Sequence, residues 1–272
     1  MGHNDADLQL RHRYDDQASR YDSSRGVGAS TLALLLEALS DAPGREVVDV
    51  GCGTGNYSEA LAAHGFAVTA VDVDPAMLAQ AAAKGLDVLE GAAESLPLAD
   101  ASQDGVAMVS MLHQVESWPA ALREAVRVLR PGGRLAASLI TADHIERVSW
   151  AFDLFPTMRA FALPRRPSIA DLLGAFPGSR VVAGEFDDLG DGSIGALCRY
   201  PTAMLDPRLR AQTSFFEKLA AVAPGEVERG LEELRRRLDT GDDPAAERAA
   251  ARAEIGDFSV LMYAKPGSSV TA

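Results

Sequence analysis

The stretch Val47 to Tyr57, V-V-D-V-G-C-G-T-G-N-Y, constrains this chain more than any other. A short β-branched apolar run delivers the backbone into a turn with glycine at 51, 53 and 55, and a helical pattern opens at once over 56–63. This reads as strand, glycine loop, helix. Glycine adopts φ > 0 at no steric cost, and its missing Cβ lets a ligand lie against the backbone. The spacing is G-x-G-x-G rather than the G-x-G-x-x-G that seats a dinucleotide, and Asp49 stands two residues before Gly51. A carboxylate there opposes a pyrophosphate and suits a ligand carrying ammonium and sulfonium charge.

A second acid follows at the end of the next apolar strand, 66–71. Asp72 lies 17 residues after Gly55 and is placed to accept both hydroxyls of a ribose. The competing role, capping the next helix, is already filled by Asp74 with Pro75 behind it, opening a helix over 75–84. Val73 and Met77 are positioned to flank an adenine, with the core as the alternative for Met77. A leucine-rich helix over 29–42 precedes the first strand, with Leu32, Leu35, Leu36 and Leu39 on one face. A short third strand covers 88–90 and a fourth 105–111. Ser110, Met111, Leu112, His113 and Gln114 emerge from the fourth strand's carboxyl edge, the side on which open α/β sheets bind ligands. An amphipathic helix over 118–129 then meets Pro131-Gly132-Gly133, a turn into a strand over 135–140. Repeated helix and strand units running one way give parallel strands with right-handed crossovers.

Net charge decides the partner class. At −13 the surface repels phosphate backbones and anionic headgroups, so nucleic-acid and membrane partners are disfavoured. No apolar run approaches the roughly 18 residues of a membrane helix, and the first residues are polar with no apolar export segment. Two cysteines, Cys52 in the loop and Cys198, fit a reduced, cytoplasmic protein. Only three of the 26 basic residues are lysine, which points to a GC-rich bacterial genome. Monomer and homodimer both stay open.

Together these motifs resemble the class I S-adenosylmethionine-dependent methyltransferases, whose first motif has the form acidic-x-G-x-G-x-G, and especially the small-molecule branch that includes ubiquinone-biosynthesis-type enzymes. The resemblance spans about 14–140 and is carried by the glycine loop, Asp72, G-A-A-E-S-L-P at 91–97 and R-V-L-R-P-G-G-R-L at 127–135. It implies a doubly wound, mostly parallel seven-stranded α/β sheet of order 3-2-1-4-5-7-6 with the last strand antiparallel. It implies S-adenosylmethionine as cofactor and S-adenosylhomocysteine as product, held by Asp49, Gly51, Gly53, Gly55, Asp72, Val73, Met77 and Ser110. It also implies a lid from the aromatic N-terminal segment, with Tyr14, Tyr21 and Arg25 against the cofactor. One position departs from the pattern. The acid that meets the adenine amine is replaced by Ala92, which leaves adenine recognition to backbone groups near Ala93 and Glu94 and removes one hydrogen bond, worth roughly 0.5–1.5 kcal/mol.

Beyond residue 141 the pattern loosens. Trp150, Phe152, Phe155 and Phe161 crowd a proline-interrupted segment, a helix is expected over 168–176 and a sixth strand over 180–186. The last strand, 257–264, closes the chain. The expected division is a lid over 1–28, a cofactor-binding core over 29–186 and 257–266, and a helical insertion over 187–256 covering the substrate. The aromatics of 150–161 and 215–216 are candidates to line a pocket for an apolar or aromatic acceptor, with the core as their alternative.

Methyl transfer from a sulfonium is a direct displacement whose leaving group is already activated, so alignment is the protein's main task. An acceptor that carries a proton also needs a base. Of five histidines, His113 and His144 lie at carboxyl ends of strands, and His113 is the better placed candidate, as base or as a hydrogen-bonded wall residue. No Cys/His cluster has metal-ligand spacing, so no metal is expected. The acceptor is expected to be a small metabolite of bacterial specialised metabolism, its reacting atom O, N or C. Two other readings stay open: the fold binds the same cofactor for a cyclisation, a pericyclic step or sensing, or the chain is an NAD(P)-dependent oxidoreductase, which Asp49 and the glycine spacing oppose.

Overall fold

The computed structural model describes residues 26–187, 189 and 193–267. In chain order the elements are α1 (Ala29–Leu39), β1 (Glu46–Val50), α2 (Asn56–Ala63), β2 (Ala67–Asp72), α3 (Pro75–Ala83), β3 (Asp87–Glu90), β4 (Gln103–Val109), α4 (Trp118–Val128) and β5 (Leu129–Leu139). The short helices α5 (Ala142–Arg147), α6 (Ala151–Leu154) and α7 (Pro156–Ala162) follow, then α8 (Ile169–Ala175) and β6 (Arg180–Gly184). The chain continues through α9 (Ile194–Arg199), α10 (Pro207–Arg210), α11 (Ser214–Val222), α12 (Pro224–Asp239), α13 (Pro244–Glu247) and α14 (Ala249–Ile255) to β7 (Phe258–Ala264).

The strands form one seven-stranded sheet in the order β3-β2-β1-β4-β5-β7-β6. The β1–β2, β1–β4, β2–β3 and β4–β5 pairs are parallel, and β7 runs antiparallel to β5. This is the expected order and the expected reversal. The parallel strands are short and apolar because both faces are covered. Val48, Val50, Val106 and Met108 join α4 residues Leu122 and Ala125 in one core, while Val47 and Ala107 join Leu39, Leu61 and Phe66 in another. Alternation along each strand thus feeds two layers. The turn expected at 131–133 is absorbed into β5. Leu129 already pairs with Gln103, the register shifts, and pairing resumes with Arg134 opposite Gly105. Gly132, at φ +82°, supplies the left-handed step.

The chain divides into two compact units. The sheet unit holds Ala29–Leu139, Ile169–Val182 and the chain from Ser259. A helical unit holds Ile140–Ser168 and Ala183–Phe258, so it takes in 140–168 as well as the stretch read from sequence as an insertion. Its core is aromatic: Phe152, Phe155, Phe215 and Phe216 meet edge to face with centroids 5.2–5.6 Å apart. Those rings and Trp150 are buried against one another. They hold the unit together, and of the aromatic candidates for a pocket lining only Phe161 is partly exposed.

Candidate active site

The site is built where β1 and β2 end in the sheet unit. Beyond β1 the backbone is left-handed at Gly51 (φ +71°), Gly53 (+55°) and Gly55 (+83°). The amides of Gly51 and Cys52 both donate to the Val71 carbonyl, at 2.8 and 3.1 Å, tying the loop to β2. A Cβ on Gly51 would lie 2.8 Å from Met111 Cβ, and one on Gly55 would lie 2.5 Å from Leu86 Cδ1. The outer glycines are therefore demanded by the protein's own packing as well as by φ. The sequence alone gives positive φ and ligand approach as the reasons for all three, and says nothing of this packing. The middle one differs, because its amide donates 2.8 Å to Asp72 Oδ2.

Asp72 is oriented by two backbone donors: Gly53 N on Oδ2 and Asp74 N, 3.0 Å away, on Oδ1. A carboxylate offers about four acceptor directions, so both oxygens keep capacity for the two hydroxyls of a ribose. Asp74 takes the capping role, accepting from Ala76 N at 2.8 Å and Met77 N at 3.4 Å with Pro75 in the first turn. Val73 is 63% exposed beside this acid, whereas Met77 is buried in the core.

Asp49 sits inside β1 and is 1% exposed. Its Oδ2 accepts a 2.6 Å hydrogen bond from Ser58 Oγ. Burial first, and the Asp72 charge in addition, push its carboxyl up to about 6 against the pull of that bond. No cation among the described residues pairs with it. Ser58, on the first turns of α2, was not foreseen from sequence; the signal was a small hydroxyl facing the sheet nine residues after a strand acid. Burial and the same two acids drive the Cys52 thiol far upward, so it is no nucleophile.

The opposite wall runs from β3 to the end of β4. Gly91 N donates 3.0 Å to the Asp72 carbonyl, Ala92 bridges to Ser95, and Ala93 is buried. Arg127 braces this loop, donating to the Leu96 and Leu98 carbonyls at 3.1 and 2.9 Å while pairing with Glu124 and Asp100. Glu94 Oε1 accepts from the amides of Glu116 and Ser117, at 2.8 and 3.2 Å. It thereby ties the turn carrying His113 to the loop 91–97. Ser110 has φ +52°, rare for a residue with a side chain, at the carboxyl end of β4, and its amide donates 2.8 Å to Ser138 O. His113 follows, half-buried on the turn 111–116.

His144 is spent elsewhere. It lies buried in the helical unit, where Nδ1 accepts from Thr141 N at 3.2 Å and Nε2 is 3.1 Å from the Ile255 carbonyl. The tautomer that fits donates from Nε2, and burial pushes the ring's pKa down, so no free lone pair is offered to a substrate proton. Among the described residues no group of three His, Cys, Asp or Glu could hold a metal. Tyr14, Tyr21 and Arg25 lie outside the described residues.

Residues 48–137, the stretch that builds the site, match the sequence profile described as a methyltransferase domain. That stretch is similar to a methyltransferase domain. Over 132 residues the chain is 37% identical to a demethylmenaquinone methyltransferase of Beutenbergia cavernae, covering 46% of this chain and 55% of that protein. Over 137 residues it is 34% identical to a malonyl-[acyl-carrier protein] O-methyltransferase of Serratia marcescens, covering 50% and 54%. The chain thus spans about half the length of the curated relatives it matches. A crystal structure assigned to a methyltransferase of an antibiotic biosynthesis pathway in Anabaena variabilis superposes with a TM-score of 0.69 over 88% of this chain and 98% of that one, at 24% identity. That likeness carries the fold across both units' length. The cofactor of such a domain is S-adenosylmethionine, and the cradle fits it: a buried acid without a cation, an amide-held acid with acceptor capacity left, and a loop closed to side chains.

Proposed function

We propose that this chain transfers a methyl group from S-adenosylmethionine to a small metabolite with an apolar or aromatic body. The observation that carries the reading is the pair Asp49 and Asp72 around the glycine loop. Asp72 would hold the ribose hydroxyls. Asp49 would set the negative field that draws the cationic end toward the loop, and ion pairing there stabilises the ionised form that burial opposes. Val73 and the backbone at Ala93 and Glu94 would border the adenine, with Ser110 below. Tyr14, Tyr21 and Arg25 would close over the cofactor.

The sulfonium supplies an activated methyl group, so this chain's residues have to bind, orient and exclude water. His113 would remove the acceptor's proton. Its ring stands on a turn that Glu94 anchors, so its placement is set by the same loop that borders the adenine. The net charge of −13 favours a small acceptor over nucleic acid. No helix among the described residues is long and apolar enough to cross a membrane, and we place the reaction in the cytoplasm. The test is incubation of the protein with S-adenosylmethionine and a panel of small acceptors, with both products read by mass spectrometry. Methylated acceptor and S-adenosylhomocysteine in equal amounts support the reading. A transformed substrate with no S-adenosylhomocysteine would replace it with a non-methylating use of the fold.

A further inference from the structure

Residues 91–98, between β3 and β4, are fastened to α4 by a closed set of hydrogen bonds. Two α4 side chains three positions apart grip one residue from both sides: Glu124 Oε2 accepts 2.9 Å from Leu96 N, and Arg127 Nη2 donates 3.1 Å to Leu96 O. Arg127 Nη1 reaches 2.9 Å to Leu98 O. The two side chains also hold each other. Arg127 Nε and Nη2 each donate 2.8 Å to a different Glu124 oxygen, a two-pronged pairing that a guanidinium makes and an ammonium cannot. In the return direction, Glu94 accepts from the amides of Glu116 and Ser117, and Ser117 caps α4.

A plain structural role accounts for part of this. Leu96 is buried in an irregular loop, and its backbone groups have to be satisfied. That need does not explain where the fastenings stop. Gly91 N is tied to the Asp72 carbonyl on one side and Leu96 to α4 on the other. Between them, in the turn closed by the Ala92–Ser95 bridge, the amides of Ala93 and Glu94 find no acceptor among the described residues, although Ala93 is only 5% exposed. A backbone held on both sides of unspent donors is already ordered when a ligand arrives, so binding does not have to order it. The clasp is also sheltered where it meets Leu96. Glu124 and Arg127 side chains are 20% and 30% exposed, whereas the Asp100 partner of Arg127 is 80% exposed and adds little.

We propose that Glu124 and Arg127 act as one paired positioning unit for the cofactor site: without touching the ligand, they fix the loop so that the amides of Ala93 and Glu94 stand ready for the nucleoside beside Asp72. This role rests on the methyl-transfer reading for its natural ligand, while adenosine alone serves as a probe that does not. Calorimetric titration of the full chain and its variants with S-adenosylmethionine and, separately, adenosine tests it, with thermal unfolding measured alongside. Arg127→Met is expected to weaken both ligands by the same factor, at least about tenfold, because the lost support lies under the nucleoside they share. Arg127→Lys, which keeps the charge and loses the fork, should recover only part of that affinity. The double variant Glu124→Gln with Arg127→Met should stay within about threefold of Arg127→Met, since the pair is already broken. Arg130→Met removes an arginine that pairs with Asp104 rather than with the loop, and is expected to lower the unfolding temperature with both affinities unchanged. Should Arg127→Met not fold, Glu124→Gln carries the same test, with a loss of about threefold or more for both ligands. Unchanged affinities in the folded clasp variants, equal losses in Arg130→Met, or a loss for S-adenosylmethionine with none for adenosine would each overturn the role. A parent that binds adenosine and not S-adenosylmethionine would defeat the methyl-transfer reading alone. A parent and an Arg127→Met variant that bind S-adenosylmethionine equally would defeat this one alone, and a parent that binds neither ligand would defeat both.

Discussion

Asp49 in the sheet unit and Asp257 in the helical unit, both buried, are treated in opposite ways. Asp257 of the helical unit accepts 2.6 Å from Arg199 Nη1, 2.7 Å from Arg252 Nε and 3.1 Å from Phe186 N. Asp49 of the sheet unit, equally buried, has the Ser58 hydroxyl and no cation. A buried charge that serves the fold is neutralised by the fold, because the desolvation it suffers is otherwise unopposed. A buried charge left without a counterion marks a place where the protein gives up stability for a ligand. The two candidate histidines also fall in different units. His144 has both nitrogens occupied inside the helical unit, while His113 stands on an anchored turn beside the cofactor loop.

The contrast can be broken most forcefully at the histidines. His113→Ala is expected to lower turnover by roughly 10²–10⁴ with little change in unfolding temperature, and His144→Ala to do the reverse. Steady-state kinetics and thermal unfolding on both variants check this, and a loss below tenfold for His113→Ala would leave alignment as the whole mechanism. Next comes Asp257→Ala, which strands two arginines and should destabilise by about 3–5 kcal/mol in denaturant titration without altering cofactor affinity.

Asp49→Asn should act with the opposite sign. Its raised carboxyl means that between about pH 4 and 6 the folded protein holds a proton the unfolded chain has released, so unliganded stability falls as pH rises through that window and stays low above it. The cost at pH 7 is about 3 kcal/mol. The asparagine variant should therefore unfold at a higher temperature than the parent at pH 7, and at nearly the same temperature near pH 4. It should also bind S-adenosylmethionine more weakly, and the parent's affinity should drop as pH falls below 6. The smallest effect is expected for Asp72→Ala, about a tenfold loss of cofactor affinity by calorimetry.

Strand order and the two-acid loop were legible because local signals agree there: apolar runs of strand length, glycine where φ is positive, and an Asp-Pro helix start. What stayed hidden depends on contacts distant in sequence. That Gly51 and Gly55 answer to Met111 and Leu86, that Glu94 grips the amides of 116 and 117, and that Ser58 reaches Asp49 are properties of packing. The aromatics beyond 150 read equally as core or pocket in one dimension, and tertiary contacts resolve most of them as core.

The central claim is that the loop between Asp49 and Asp72 is built for a cationic nucleoside. Calorimetry at pH 7 with S-adenosylmethionine and, separately, NADH tests it most directly. The account requires saturable one-to-one binding of S-adenosylmethionine that is weakened in both Asp49→Asn and Asp72→Ala, with no heat from NADH. Tighter binding of NADH, or S-adenosylmethionine affinity indifferent to both substitutions, would contradict it.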